Sequence, residues 1–155
     1  MKKYIYLDID GVLCLGSEIH PKMTEWGYVY RFNQKAVKAL NQILEKTDAD
    51  IIISSDWKDN FSLQSLQEIF KWQGVIKSPI GVTTSEPFKT MQLLEEYRAK
   101  EIMHHVEEHK PLHWVAIDDL DLSLWINKNH FVLTPRFMEG IKQSGKKEEI
   151  LSKLT

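Results

Sequence analysis

The chain has 155 residues, 43% hydrophobic and 27% charged, and its 20 Lys and Arg against 22 Asp and Glu leave a formal net charge of −2. These proportions exclude wholesale disorder and a bulk polyanion binder, and the length suffices for a core without metal or disulfide staples. The single cysteine, Cys14, excludes an intramolecular disulfide and a zinc site built on several thiolates.

Residues 4–9, Tyr-Ile-Tyr-Leu-Asp-Ile, are β-rich and apolar up to Asp8, as in a strand covered on both faces in a parallel sheet. Residues 14–33 fit neither period; Gly16, Pro21, Gly27 and the rings of Trp26, Tyr28, Tyr30 and Phe32 predict a flap with a hairpin around Tyr28-Val29-Tyr30. Ala36, Val37, Leu40, Ile43 and Leu44 mark one face of a helix with Asn33 as its N-cap. The strand Ile51-Ile52-Ile53 follows the turn Asp48-Ala49-Asp50 and stops at Ser54-Ser55. Leu63, Leu66, Ile69 and Phe70 predict a second helix between a Ser62 cap and a Gly74 stop. Ile80-Gly81-Val82-Thr83 is a weaker strand, and a helix from the late 80s to His109, with a break near Arg98, runs up to Pro111. Trp114-Val115-Ala116-Ile117 predicts a strand ending at Asp118-Asp119, Phe131-Val132-Leu133 another, and Ile150, Leu151 and Leu154 a C-terminal helix. Alternating strands and helices imply an α/β protein with helices on both faces of a central parallel sheet. No repeat, linker or low-complexity tract divides the chain, so one domain over residues 1–155 is the expectation. No stretch approaches the roughly 18–20 apolar residues of a membrane span, and Asp8 comes too early for a signal peptide, so a cytoplasmic protein with no membrane partner is expected.

Ligands of open α/β sheets bind outside the carboxyl ends of the strands. Those ends carry Asp8-Ile9-Asp10-Gly11, Ser54-Ser55, and Asp118-Asp119 with Asp121 just beyond. Asp and Gly are ordinary turn residues, and any one of these ends alone reads as a strand stop. Their coincidence at one rim reads instead as a site whose clustered carboxylates a hard cation such as Mg2+ would relieve.

Asp8-Ile9-Asp10-Gly11-Val12-Leu13 resembles the first motif of the haloacid dehalogenase (HAD) superfamily, Ser54 its second and Asp118-Asp119 its fourth. With Ile53-Ser54-Ser55-Asp56-Trp57-Lys58, Ile80-Gly81-Val82-Thr83, Arg98-Ala99-Lys100-Glu101-Ile102 and Phe131-Val132-Leu133-Thr134-Pro135, most of the chain is similar to the HAD-domain family first described in Swiss Army Knife RNA repair proteins. The resemblance implies a three-layer α/β/α Rossmann-like fold, capless because residues between Leu13 and Gln34 leave room for a short flap and no domain. It also implies a magnesium-dependent phosphatase acting through an aspartyl-phosphate on phosphate monoesters. Asp8 would be the nucleophile and Asp10 the general acid and base, two residues apart and able to face one side of a strand. Ser54 would donate to a phosphoryl oxygen, and Arg98 or Lys100 would neutralise charge there. Magnesium would bind Asp8, Asp118 and the backbone carbonyl of Asp10, with Asp119 an alternative ligand or a support behind them. The open site suits a large substrate, a phosphorylated polynucleotide end before a small monoester, and the flap rings are placed either to stack on bases or to pack beneath the flap. The alternatives are a phosphotransferase and a non-catalytic domain that binds a phosphorylated ligand or a partner.

Other residues carry blander readings. His104, His105, His109 and His113 lack the carboxylate or thiolate that would complete a zinc pattern. Cys14 reads as a core thiol, Trp57 as the anchor of a helix start, Asp121 as a cap, and Lys142 to Lys147 as solvated surface.

Overall fold

The apolar runs form strands because layers cover both of their faces. A computed structural model describes residues 2–16, 20–84, 93–135 and 138–155. In chain order the elements are β1 (Lys3–Leu7), β2 (Pro21–Thr24), β3 (Gly27–Tyr30), α1 (Gln34–Thr47), β4 (Asp50–Ile53), α2 (Trp57–Asn60), α3 (Leu63–Trp72), β5 (Gly81–Val82), α4 (Leu94–His109), β6 (His113–Asp118), β7 (Phe131–Leu133) and α5 (Lys146–Lys153). Five strands make one parallel sheet in the order β5-β4-β1-β6-β7. Beside it, β2 and β3 pair antiparallel as the expected hairpin.

The two-residue period of each strand sorts its side chains between two cores. Ile5, Leu7, Ile51, Ile53, Val115, Ile117 and Val132 pack with Leu40 and Leu44 of α1, Leu66, Ile69 and Phe70 of α3, and Ile150 of α5. Tyr4, Tyr6, Ile52, Trp114, Ala116 and Phe131 face the other way, onto Ala99 and Ile102 of α4. Each fully buried aliphatic side chain contributes about 1.5–3 kcal/mol of transfer free energy.

The caps follow the sequence. Asn33 accepts from the Ala36 amide at the start of α1, Ser62 accepts from the Ser65 amide at the start of α3, and Gly74 turns the chain at φ +94° after α3. Lys110 ends α4 in the left-handed region just before Pro111. Two expectations change. The helix that carries Arg98 is unbroken there, because Arg98, Ala99 and Ile102 are all buried against the sheet and hold that turn in place. Asp121 caps a turn and no helix, through the Ser123 amide. A helix start in the late 80s falls on residues 85–92, outside the described residues.

Chain order sets the place where a ligand can enter. From β1 the chain steps outward through α1 to β4 and through α3 to β5, with both helices on one face. It then crosses by α4 on the opposite face to β6, on the far side of β1. The strand order therefore reverses between β1 and β6, and a crevice opens at the carboxyl ends of strands at such a switch point. Asp8 and Asp118 are the residues that stand there.

Candidate functional site

Register brings the strand-end residues level with one another. Leu7 pairs with Ile53 and Ile117, and Ile53 with Val82. The next residues along are Asp8, Ser54, Asp118 and Thr83. The ladder runs on into them: the Asp8 amide donates to Ile117 O at 3.0 Å, the Ser54 amide to Leu7 O at 3.1 Å and the Thr83 amide to Ile53 O at 3.0 Å. The strand period carries Asp8 and Asp118 to the α4 side, where Arg98 meets them.

Carboxylate oxygens of Asp8, Asp118 and Asp119 lie within 4.8 Å of one another, the first two buried and the third half-buried. Among the described residues this is the group of His, Cys, Asp and Glu placed to hold a metal ion. Burial first, and then the Asp118 charge, raise the Asp8 carboxyl well above the usual range, and the neighbouring Asp119 side chain adds to the rise. Burial likewise raises Asp118, against Arg98 and the Leu120 amide, which donates to its Oδ1 at 2.9 Å.

Arg98 answers this cluster. Its Nη1 lies 2.7 Å from Asp118 Oδ2 and 3.2 Å from Asp8 Oδ1, and its Nη2 lies 3.3 Å from Asp56 Oδ1. Burial opposes the guanidinium charge, but the three carboxylates outweigh it and hold the group above its ordinary value. Lys100, the other cation considered for this role, is exposed on α4. A helix turns about 100° per residue, which takes Lys100 away from the face that Arg98 buries.

Asp10 stands apart from the triad and is exposed. Its Oδ1 accepts from Trp57 Nε1 at 3.2 Å. Loss of hydration to the surrounding protein raises its carboxyl pKa, and the Trp57 bond works the other way. Trp57 is buried as expected, and it also orients this carboxylate, a role its position in the sequence does not reveal.

Gly11 makes the turn after Asp10 at φ +80°, and a side chain there would run into Asp119. Thr134 ties the same turn to β6: its hydroxyl donates to Gly11 O at 3.0 Å, and its amide to Asp118 O at 2.9 Å.

Ser54 is fully buried, and its hydroxyl has no hydrogen-bond partner among the described residues. An orphaned buried hydroxyl costs about 1–3 kcal/mol, a cost borne where a ligand supplies the partner. Thr83, level with it just past the end of β5, is buried with the same unmet hydroxyl. The rule that singles out Ser54 applies equally to Thr83, but the weak apolar pattern of β5 hides it. Also not foreseen is the pair of Lys58 Nζ with Glu101 Oε2, 3.1 Å apart and almost wholly buried. Burial raises the Glu101 carboxyl and Lys58 lowers it.

The remaining candidates do not join the site. His105 Nδ1 lies 2.8 Å from the Tyr6 hydroxyl, His109 stacks on His105, and His104 pairs with Glu108. Cys14 is buried, and that burial raises its thiol pKa, which fits a core thiol. The flap rings divide: Phe32 is buried and Trp26 donates to Glu68 Oε2, while Tyr28 and Tyr30 stay exposed.

A parallel sheet of this order, its helices on both faces and carboxylates at the switch point define an α/β protein with the Rossmann-like HAD fold. The family model described as the HAD domain in Swiss Army Knife RNA repair proteins matches residues 4–144, and the chain belongs to that family. No curated protein and no solved structure gives a significant match. Among the described residues no helix is long and apolar enough to cross a membrane.

Proposed function

We propose that the chain is a capless, one-domain phosphatase that hydrolyses phosphate monoesters with magnesium and takes phosphorylated nucleic-acid ends as substrate. The observation that carries this reading is the buried, unpartnered Ser54 hydroxyl one strand away from Asp8, in register with it. A phosphoryl group lying over Asp8 would give that hydroxyl the acceptor it lacks. The family's association with RNA repair proteins supports the choice of substrate.

The donor set fits a hard divalent cation: Asp8, Asp118 and Asp119 supply carboxylate oxygens and no thiolate or imidazole. These three would hold the ion, which supplies charge neutralisation between an anionic nucleophile and an anionic substrate.

Each remaining part falls to a residue of the chain. Asp8 attacks phosphorus, forming an acyl-phosphate bond as the bond to the leaving oxygen breaks. Asp10, with its pKa raised and its orientation set by Trp57, gives a proton to that oxygen and then takes one from the water that opens the intermediate. Arg98 bridges Asp8 and Asp118 and is placed to stabilise negative charge on the phosphoryl oxygens. Ser54 donates to one of those oxygens.

A second reading has one observation in its favour. Arg98 Nη1 already bridges Asp8 and Asp118, as a permanent cation would in a domain that binds phosphorylated ligands without turnover. One experiment separates the two: phosphate release from an aryl phosphate, from nucleotides and from 3′- and 5′-phosphorylated oligonucleotides, with magnesium and with chelator, for the wild type and Asp8→Asn. Release that needs magnesium and disappears in Asp8→Asn is expected. Folded wild-type protein that binds the phosphorylated ends and releases no phosphate would overturn the phosphatase in favour of the binding domain.

A further inference from the structure

We propose that the cleft between the β2–β3 hairpin and α2 is a nucleobase subsite, which seats the terminal nucleoside of a phosphorylated single strand beside Asp10. The inference rests on the phosphatase reading and specifies which part of the substrate is recognised.

The cleft has a volume of about 240 Å3 and is lined by Asp10, Tyr28 and Tyr30 together with Asp56, Trp57, Asn60 and Phe61. It is smaller than the roughly 300–1,000 Å3 of clefts that engulf whole drug-sized ligands. One ring system fits it better than an entire metabolite. Its position follows from the proposed chemistry: Asp10 protonates the leaving oxygen, so the group attached to that oxygen must lie against Asp10.

The aromatic walls are built by the chain's own periodicity. Tyr28 and Tyr30 are two apart on β3 and share a face, while Val29 between them is fully buried. That leaves Tyr28 65% and Tyr30 38% exposed, whereas Phe32 of the same flap is 2% exposed. The flap thus tucks in Phe32 and leaves two rings open on the cleft that Asp10 also lines. In the same lining Trp57 fixes Asp10 through Nε1 and packs against Phe61 with ring centroids 5.7 Å apart. The residue that orients the proposed acid therefore also braces Phe61 of the cleft, so ring binding and proton transfer share Trp57.

The chemistry of the lining selects the ligand. Among the described residues no lysine or arginine lines it and two carboxylates do, so a phosphate does not belong here. The phosphoryl group sits on the Arg98 side, and what enters the cleft is uncharged and flat. Asn60 offers an amide donor and acceptor to the edge of such a ring. Base stacking on aromatic side chains needs only a π-face, which makes the subsite tolerant of sequence.

The test compares RNA oligonucleotides phosphorylated at the 3′ or the 5′ terminus, each with an intact or an abasic terminal nucleotide, on the full chain. We expect kcat/KM to be about tenfold or more higher for intact ends, the range of one stacked base. Tyr28→Ala, on an exposed position of the hairpin, should close most of that gap, with circular dichroism checking the fold. Equal rates on intact and abasic ends, an equal loss on both in Tyr28→Ala, or hydrolysis of phosphopeptides in preference to RNA would each overturn the subsite. If no substrate releases phosphate, the phosphatase reading fails by itself. Fluorescence anisotropy of the same labelled strands then decides the subsite: tighter binding of intact ends that Tyr28→Ala removes supports it, and equal binding overturns it.

Discussion

Replacing Asp8 by Asn should abolish turnover and at the same time make the ion-free protein more stable. At an effective dielectric near 20, two full charges within 4.8 Å of each other repel by at least roughly 3.5 kcal/mol, and Asp8 has two such neighbours in Asp118 and Asp119. Arg98, 3.2 Å from Asp8, returns about 5 kcal/mol on the same scale. Ionised Asp8 is thus left at least about 2 kcal/mol uphill before its desolvation is counted, in line with its raised pKa. Asparagine keeps the shape and removes the charge. We expect a gain of about 1–2 kcal/mol at pH 7 in chelator, or roughly 3–6 °C in Tm for a chain of this length. The raised pKa fixes the sign with pH: the native state holds the proton longer than the unfolded chain, so the cost is absent below about pH 4. The gap between variant and wild type should therefore open as pH rises through the native pKa of Asp8. Magnesium should reverse the order, because at 100 times its Kd it would stabilise the wild type by about 2.7 kcal/mol and the variant much less. Thermal unfolding followed by circular dichroism, in chelator and in magnesium, reads both effects. A variant with a native spectrum that melts below the wild type in chelator would refute the reasoning, since the acids would then not be in net repulsion.

Three further outcomes follow from the same geometry. Arg98→Met, which keeps length and removes charge, should destabilise the ion-free protein by about 3–5 kcal/mol because three carboxylates lose their buried partner; denaturant melts should show magnesium restoring part of the loss. His105, held neutral down to about pH 4 by burial and by the neighbouring His109, should make folding acid-sensitive. Its contribution is complete above about pH 6.5 and is lost as pH falls towards 4, a change on the order of 2–3 kcal/mol that urea melts should detect and that His105→Gln should lack. Gly11→Ala should cost about 1–2 kcal/mol from the left-handed backbone alone, and the methyl's collision with Asp119 should weaken magnesium binding in a calorimetric titration while Asp8 stays in place.

Much of this architecture is legible in the sequence because it rests on local signals. Three isoleucines at 51–53 cannot alternate, so they declare a strand covered on both faces, and the structure buries all three. Asn33 and Ser62 announce their helices because a side-chain oxygen just ahead of an apolar periodicity has little else to do. The members of the site that escape reading depend on distance. Trp57 and Asp10 are 47 residues apart, and Thr134 and Gly11 are 123 apart. Only the sheet order brings them together, and nothing in the local pattern of either partner announces the other. The choice between Arg98 and Lys100 is of the same kind. Both are long cations on one helix, and which of them reaches the acids depends on the turn of α4 that faces β1 and β6.

The sheet's outline has a consequence for how the molecule holds together under strain. Its two edges are β5, two residues long, and β7, three residues long, while the strand leading to Asp8 is the middle one. Edges this short offer a second chain few unpaired amides to zip onto, so a strongly apolar sheet interior carries little risk of strand-to-strand aggregation. Fraying at the margins, where local opening is cheapest, stays at least one full strand away from β1. The central strand parts from its neighbours only when the sheet itself comes apart. The geometry around Asp8 is therefore insulated from the motions of the periphery.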